Sequence, residues 1–281
     1  MALVELAGAP VPVRASEGAD AQAMQIAAMV ARARDWATSI LGMTPTFRLD
    51  VAASDDWLEV APPGLAYGLP HTSDDGDRVV VGAEPADFFG VTVRDYLPHA
   101  DQPTQQRLRE AYGQDLDLGP FVDAIIVHEL GHLYHQQVPF EFPRLWLTEL
   151  FANLLMVGYL SDVEPDLLPG VQAYARAAVQ AGSALYPGHR LEAMKAPPEA
   201  SPETYVWCEM VLIAGACELW QQAGPDGLRA MHTNFRDADL DLTTIRSRLL
   251  DIAPSAAGIV DDWPALRPST DSQTRRDTDS E

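Results

Sequence analysis

The spacing of apolar residues changes character twice along this chain. Over 19–41, Met24, Ala27, Ala28, Ala31 and Trp36 recur at helical intervals, which predicts an amphipathic helix. Residues 46–51 (Thr-Phe-Arg-Leu-Asp-Val) then alternate apolar and polar, a strand pattern; 65–69 and 78–82 are further strand candidates. Ser73-Asp74-Asp75-Gly76-Asp77 between the last two reads as a turn, without the full ligand spacing of a calcium loop. Residues 84–100 hold Pro85, Phe88, Phe89 and Tyr96 without a clear period, a loop or short helix. Asp101-Gln102-Pro103 opens a helix that runs to about Tyr112.

Beyond Gly119 the pattern is almost wholly helical. Helices are expected over 120–137, 144–160, 166–182, 203–223, 226–235 and 242–252. The breaks carry proline and glycine: Pro165, Pro169-Gly170, Pro187-Gly188, Pro197-Pro198 and Gly224-Pro225. The expected fold class is therefore α+β in one domain over 1–267. It has a sheet-containing lobe over about 1–118 and a mainly helical lobe over about 119–267. The polar residues 268–281 are expected to form a disordered tail. No internal repeat is visible.

The helix predicted over 120–137 carries the candidate chemistry. Gly119-Pro120, with Asp123 in the first turn, marks its start. Phe121, Val122, Ile125, Ile126, Val127, Leu130 and Leu133 surround the cylinder, so most of its circumference should be buried. Within it stands His128-Glu129-Leu130-Gly131-His132. Helical residues four apart share a face, so both imidazoles can bind one metal ion. The Glu129 carboxylate lies where it can reach a water at the ion's open position. This is the His-Glu-x-x-His arrangement of zinc peptidases. The plainer alternative is a pair of core histidines satisfied by carbonyls, but a glutamate among buried residues is costly unless something uses it.

A catalytic zinc takes three protein ligands and keeps a fourth position open. In the next apolar run, 145–156, Glu149 is the lone acid. It is the candidate third ligand. Asn153 lies one turn on, on the same face, where it can accept the second ring N–H of a ligand histidine and fix its tautomer. His135, three residues past His132, reads more simply as a surface residue. His71 and His99 have no assigned role, and Trp207, Trp220 and Trp263 read as core.

His-Glu-Leu-Gly-His followed by Trp146-Leu147-Thr148-Glu149-Leu150-Phe151-Ala152-Asn153 resembles the gluzincins, and most of all their aminopeptidase-N-like branch with its Trp-Leu-x-Glu-Gly-Phe-Ala segment. The resemblance implies that His128, His132 and Glu149 hold one Zn2+ and that Glu129 is the general base. Tyr205-Val-Trp-Cys-Glu209 is similar to that branch's Tyr-x-x-Gly segment, which implies that Tyr205 donates to the oxyanion; His189, His232 and Tyr174 are weaker candidates for that role. The likeness covers roughly 119–225. It also implies a zincin-like layout, with a small N-terminal sheet over a helical half and the active site in the cleft between. The strand over 78–82 is then the candidate sheet edge for an extended peptide. The chain departs from the branch in three residues or spacings: Leu150 and Cys208 stand where glycine is usual, and the gap from His132 to Glu149 is short. These mark a distant relative. The Gly-x-Met-Glu-Asn loop that captures a free amine is also absent; the nearest stretch, Gly64 to Pro70, has no carboxylate. Exopeptidase action therefore does not carry over.

Composition narrows the partners. A formal net charge of −22 over 281 residues disfavours nucleic acid and anionic membranes. Lys195 is the only lysine. Cys208 and Cys217, nine apart in one predicted helix, point to opposite faces and cannot pair. No signal peptide or membrane span is evident, so a cytoplasmic protein acting on a peptide or protein substrate is the expectation. A zinc hydrolase of a non-peptide amide would use the same four residues. A silent zincin-like binding module would keep the fold without turnover.

Overall fold

In a computed structural model, residues 3–263 are described, apart from 85–86, 140, 187–189, 197–198 and 200. The elements in chain order are β1 (Val4–Glu5), β2 (Val13–Ala15), α1 (Asp20–Leu41), β3 (Arg48–Ala52), α2 (Trp57–Val60), β4 (His71–Thr72), β5 (Arg78–Gly82), α3 (Phe88–Tyr96), α4 (Gln102–Tyr112), α5 (Gly119–Gln136), α6 (Leu145–Asp162), α7 (Leu168–Ala181), α8 (Pro202–Asn234), α9 (Leu242–Ile252) and α10 (Pro254–Asp261). The result is α+β among the described residues: a five-stranded mixed sheet with α1 and α2 between its strands, then a run of helices.

The sheet runs β1-β2-β3-β5-β4. Its centre is parallel, with Val13 beside Leu49 and Leu49 beside Val79; β1 and β4 are antiparallel edges. Alternation sorts the two faces. Leu49, Val51, Val79 and Val81 enter the main core with Ala23, Ile26, Ala27 and Val30 of α1 and with α5. Ala52 and Val80 point the other way, where they pack with Trp57 of α2. Asp50 shares that second face and is fully buried. Its carboxylate accepts from Arg14 Nε at 2.9 Å, Arg14 Nη2 at 2.6 Å and Arg48 Nε at 3.0 Å.

Several boundaries differ from the expectations. The strand at 78–82 forms but is interior, between β3 and β4, so the edge is β4. The stretch 65–69 turns instead of extending: Gly64 and Gly68 both take positive φ, which only glycine adopts readily. Strands β1 and β2 are too short to show alternation in the sequence. The buried stripe of α1 is centred on Ala23, Ile26, Ala27 and Val30, leaving Met24 and Ala28 half-buried. Helix α4 begins as expected, with the Asp101 side chain accepting from the Thr104 amide. The helices expected at 203–223 and 226–235 both form: α8 is interrupted at Gly224 (φ 50°, ψ −141°, not helical), directly before Pro225, so its two halves meet at the expected break. Both cysteines are free and buried. The expected tail at 268–281 and the candidate His189 lie outside the described residues. Among the described residues, no helix is long and apolar enough to cross a membrane.

Candidate metal centre

Helix α5 is buried along most of its circumference, from Phe121 to Tyr134. It packs against α1, against the β4–β5 side of the sheet, and against α6. The α5–α6 contact is very close at Gly131, where a Cβ would lie 2.8 Å from the Ala152 Cα. Gly131 precedes His132, and Ala152 lies between Glu149 and Asn153. This approach therefore brings both histidines of α5 onto the acid and amide of α6.

The three candidate ligand atoms converge. His128 Nε2 and His132 Nε2 stand 3.1 Å apart. Glu149 Oε2 lies 3.2 Å from the first and 3.3 Å from the second. Ligand atoms about 2.0–2.1 Å from a tetrahedral zinc stand ~3.3 Å apart, so this triangle has the size the ion requires. The other ring nitrogens are engaged. His128 Nδ1 is 2.8 Å from Asn153 Oδ1, and His132 Nδ1 is 3.1 Å from His135 Nε2. With protons on both Nδ1 atoms, two lone pairs and a carboxylate oxygen face one point. Glu149 Oε2 is buried and meets no hydrogen-bonding geometry. A cation resolves that arrangement, and the donor set of two imidazoles and a carboxylate fits a divalent metal.

The electrostatics favour positive charge at this point, and a proton and a metal ion would compete for His128 Nε2. Burial works against the charge of Glu149, but His132 and His128 hold its carboxyl below the usual range. Burial likewise opposes protonation of His128, yet Glu149 and Glu129 raise it to about 9. Burial pushes Glu129 up, partly countered by the two histidines and by the nearby Thr72 backbone of β4. Burial also raises the Tyr205 phenol, and the neighbouring carboxylates of Glu149, Glu209 and Glu129 raise it further.

Thus His128, Glu129, His132, Glu149, Asn153 and Tyr205 meet in one place. His135 departs from its expected surface position: it is half-buried behind His132, and burial brings its ring down to about 3, so it stays neutral. His232 faces the Tyr134 carbonyl at 3.2 Å and stacks on Phe151. The Tyr174 hydroxyl donates to the Phe89 carbonyl at 3.1 Å, within the α3–α7 contact. His99 is exposed. A cavity of about 650 Å³ opens beside His135 and Thr148, and its wall includes Asp74, Asp75 and Glu141.

One residue of the centre went unassigned in the sequence. Glu209 of α8, one turn after Tyr205, is buried, and its Oε2 accepts from Asn153 Nδ2 at 3.0 Å. With His128 and Glu149 it forms a second group able to hold a metal, beside that of His128, Glu129 and His132. The signal was available, since Glu209 is an acid in an apolar helical run, as Glu149 is. Comparison with protein-family models, with curated proteins and with solved structures finds no match to this chain.

Proposed function

We propose that this protein is a zinc-dependent peptidase of gluzincin type, built on a zincin-like frame with its active site between the sheet and the helical half. The observation that carries the reading is the triangle of His128 Nε2, His132 Nε2 and Glu149 Oε2, with sides of 3.1, 3.2 and 3.3 Å. Zinc held by these residues would supply Lewis acidity toward a carbonyl oxygen and would acidify a water.

The remaining steps belong to side chains of this chain. Glu129 takes the proton of the attacking water on its carboxylate and delivers it to the leaving nitrogen. Its raised pKa suits a group that must both accept and release a proton. The Tyr205 phenol keeps its proton and donates to the carbonyl oxygen as that oxygen becomes negative. Edge strand β4 lies against α5, with the Thr72 backbone near Glu129. An extended peptide adding to that edge, and not to the interior β5, would bring its backbone to the general base.

A mixed peptide library incubated with the purified protein tests the reading. Cleavage that chelator abolishes in wild type, and that is absent in Glu129→Gln, is expected. Cleavage that survives the Glu129 substitution would remove this assignment.

A further inference from the structure

We propose that Glu209 is a positioning residue for the metal: through Asn153 it sets the tautomer of His128 and thereby the affinity of the site. This rests on the metal-centre reading above. The chain of contacts is continuous. Glu209 Oε2 accepts from Asn153 Nδ2 at 3.0 Å, and Asn153 Oδ1 meets His128 Nδ1 at 2.8 Å. All three side chains are buried: Asn153 is 0 %, His128 5 % and Glu209 8 % exposed.

The argument turns on what each group can do. An asparagine amide presents an acceptor on one side and a donor on the other, and nothing in its shape decides which way round it sits. Burial, with Glu149 beside it, raises the Glu209 carboxyl to about 8, and its Oε2 accepts from Asn153 whether the group is ionised or carries its proton on the unpartnered Oε1. Facing Glu209, the amide must turn its NH2 toward the carboxylate and its carbonyl toward His128. The carbonyl then requires a proton on His128 Nδ1, which leaves Nε2 as a lone pair pointing at Glu149 and His132. The reversed amide would donate to Nδ1, move the ring proton to Nε2 and remove that ligand. The other Glu209 oxygen, Oε1, is buried without a partner. A buried carboxylate left half-satisfied is costly, and it is tolerated where it performs a task.

The role also separates Glu209 from a packing residue. Replacement by glutamine keeps size and shape but offers both donor and acceptor, so the Asn153 amide loses its single orientation. The affinity of purified wild type and Glu209→Gln for zinc is measured by competition with a chromophoric chelator, and the melting temperature of each metal-free protein is recorded beside it. The expected result is zinc binding weakened about 10- to 100-fold, the range for losing a partner of a ligand histidine, with the metal-free protein no less stable. A purely structural role would instead lower the melting temperature and leave affinity alone. Zinc affinity within twofold of wild type in Glu209→Gln would overturn the proposal. Should that variant fail to fold, Asn153→Leu cuts the same chain at its middle link. Comparable weakening is expected there, and unchanged affinity would overturn the proposal equally. Wild type that binds no zinc would refute the metal centre itself, whereas wild type and Glu209→Gln binding equally well would refute only the role of Glu209.

Discussion

Gly131 and Ala152 touch backbone to backbone: a Cβ on Gly131 would stand 2.8 Å from the Ala152 Cα and 3.1 Å from its Cβ. The contact lies one residue from a candidate ligand on α5 and three from another on α6, so the separation of the two helices and the size of the ligand triangle are set together. Replacing Gly131 by alanine would add helix propensity worth about 1 kcal/mol. The clash, of overpacking type, costs about 1–3 kcal/mol and falls on backbone that cannot swing aside. Gly131→Ala is expected to lower the melting temperature and to weaken zinc binding together. A variant with higher stability and undiminished affinity would show that the approach of α5 and α6 does not shape the site.

Glu129 is proposed as a base and not as a ligand, although its carboxylate lies close enough to His128 and His132 to hold a metal with them. Glu129→Gln is expected to keep zinc and fold while slowing hydrolysis by at least about 10²–10⁴-fold, the usual contribution of such a group. Zinc content and turnover on one cleaved peptide check both halves. Lost metal in this variant would mean that Glu129 holds the ion.

Burial and the neighbouring carboxylates of Glu149, Glu209 and Glu129 keep the proton on Tyr205. A donor that acts only as charge develops should affect kcat and leave KM nearly unchanged. Tyr205→Phe is expected to lower kcat about 10²–10³-fold, as removal of one oxyanion donor does elsewhere. A variant changed mainly in KM would place Tyr205 in substrate binding instead.

The extent to which these residues could be read from sequence follows the range of the interactions behind them. His128, Glu129 and His132 share one helix, so their common face follows from the helical period alone. Glu149 and Asn153 stand out as polar residues in an apolar run, and their spacing shows that they face one way. What they face depends on the close approach at Gly131, which no local pattern reports. Glu209 carried the same lone-acid signal but comes from a third helix, and its role exists only through Asn153. His135 looked like surface because the loop residue Phe142 that covers it is distant in pattern though near in space. The sheet edge was misplaced for a similar reason: a two-residue strand, His71–Thr72, has too few positions to alternate.

Asp50 provides a test of the frame independent of the site. Burial alone would raise its pKa, but hydrogen bonds from Arg14 and Arg48 outweigh that and hold the carboxyl below its ordinary value. A carboxyl with a depressed folded pKa adds stability above its unfolded pKa of about 3.9, and that contribution disappears as pH falls through the folded value. Asp50→Asn is expected to cost about 1–3 kcal/mol at pH 7, toward the lower end because both arginines reach solvent and are screened. The gap between variant and wild type should narrow in urea unfolding below about pH 4, where the wild-type carboxyl takes up its proton. A gap of constant size down to pH 3 would mean that the charge of Asp50 is not what stabilises the sheet.

The most direct test of the central claim is metal content, measured on wild type and Glu149→Ala purified without added chelator. The account predicts about one zinc per chain in wild type, lost or much weakened in the variant because two histidines alone hold the ion poorly. Wild type without metal, or a variant that retains its full complement, would contradict the account.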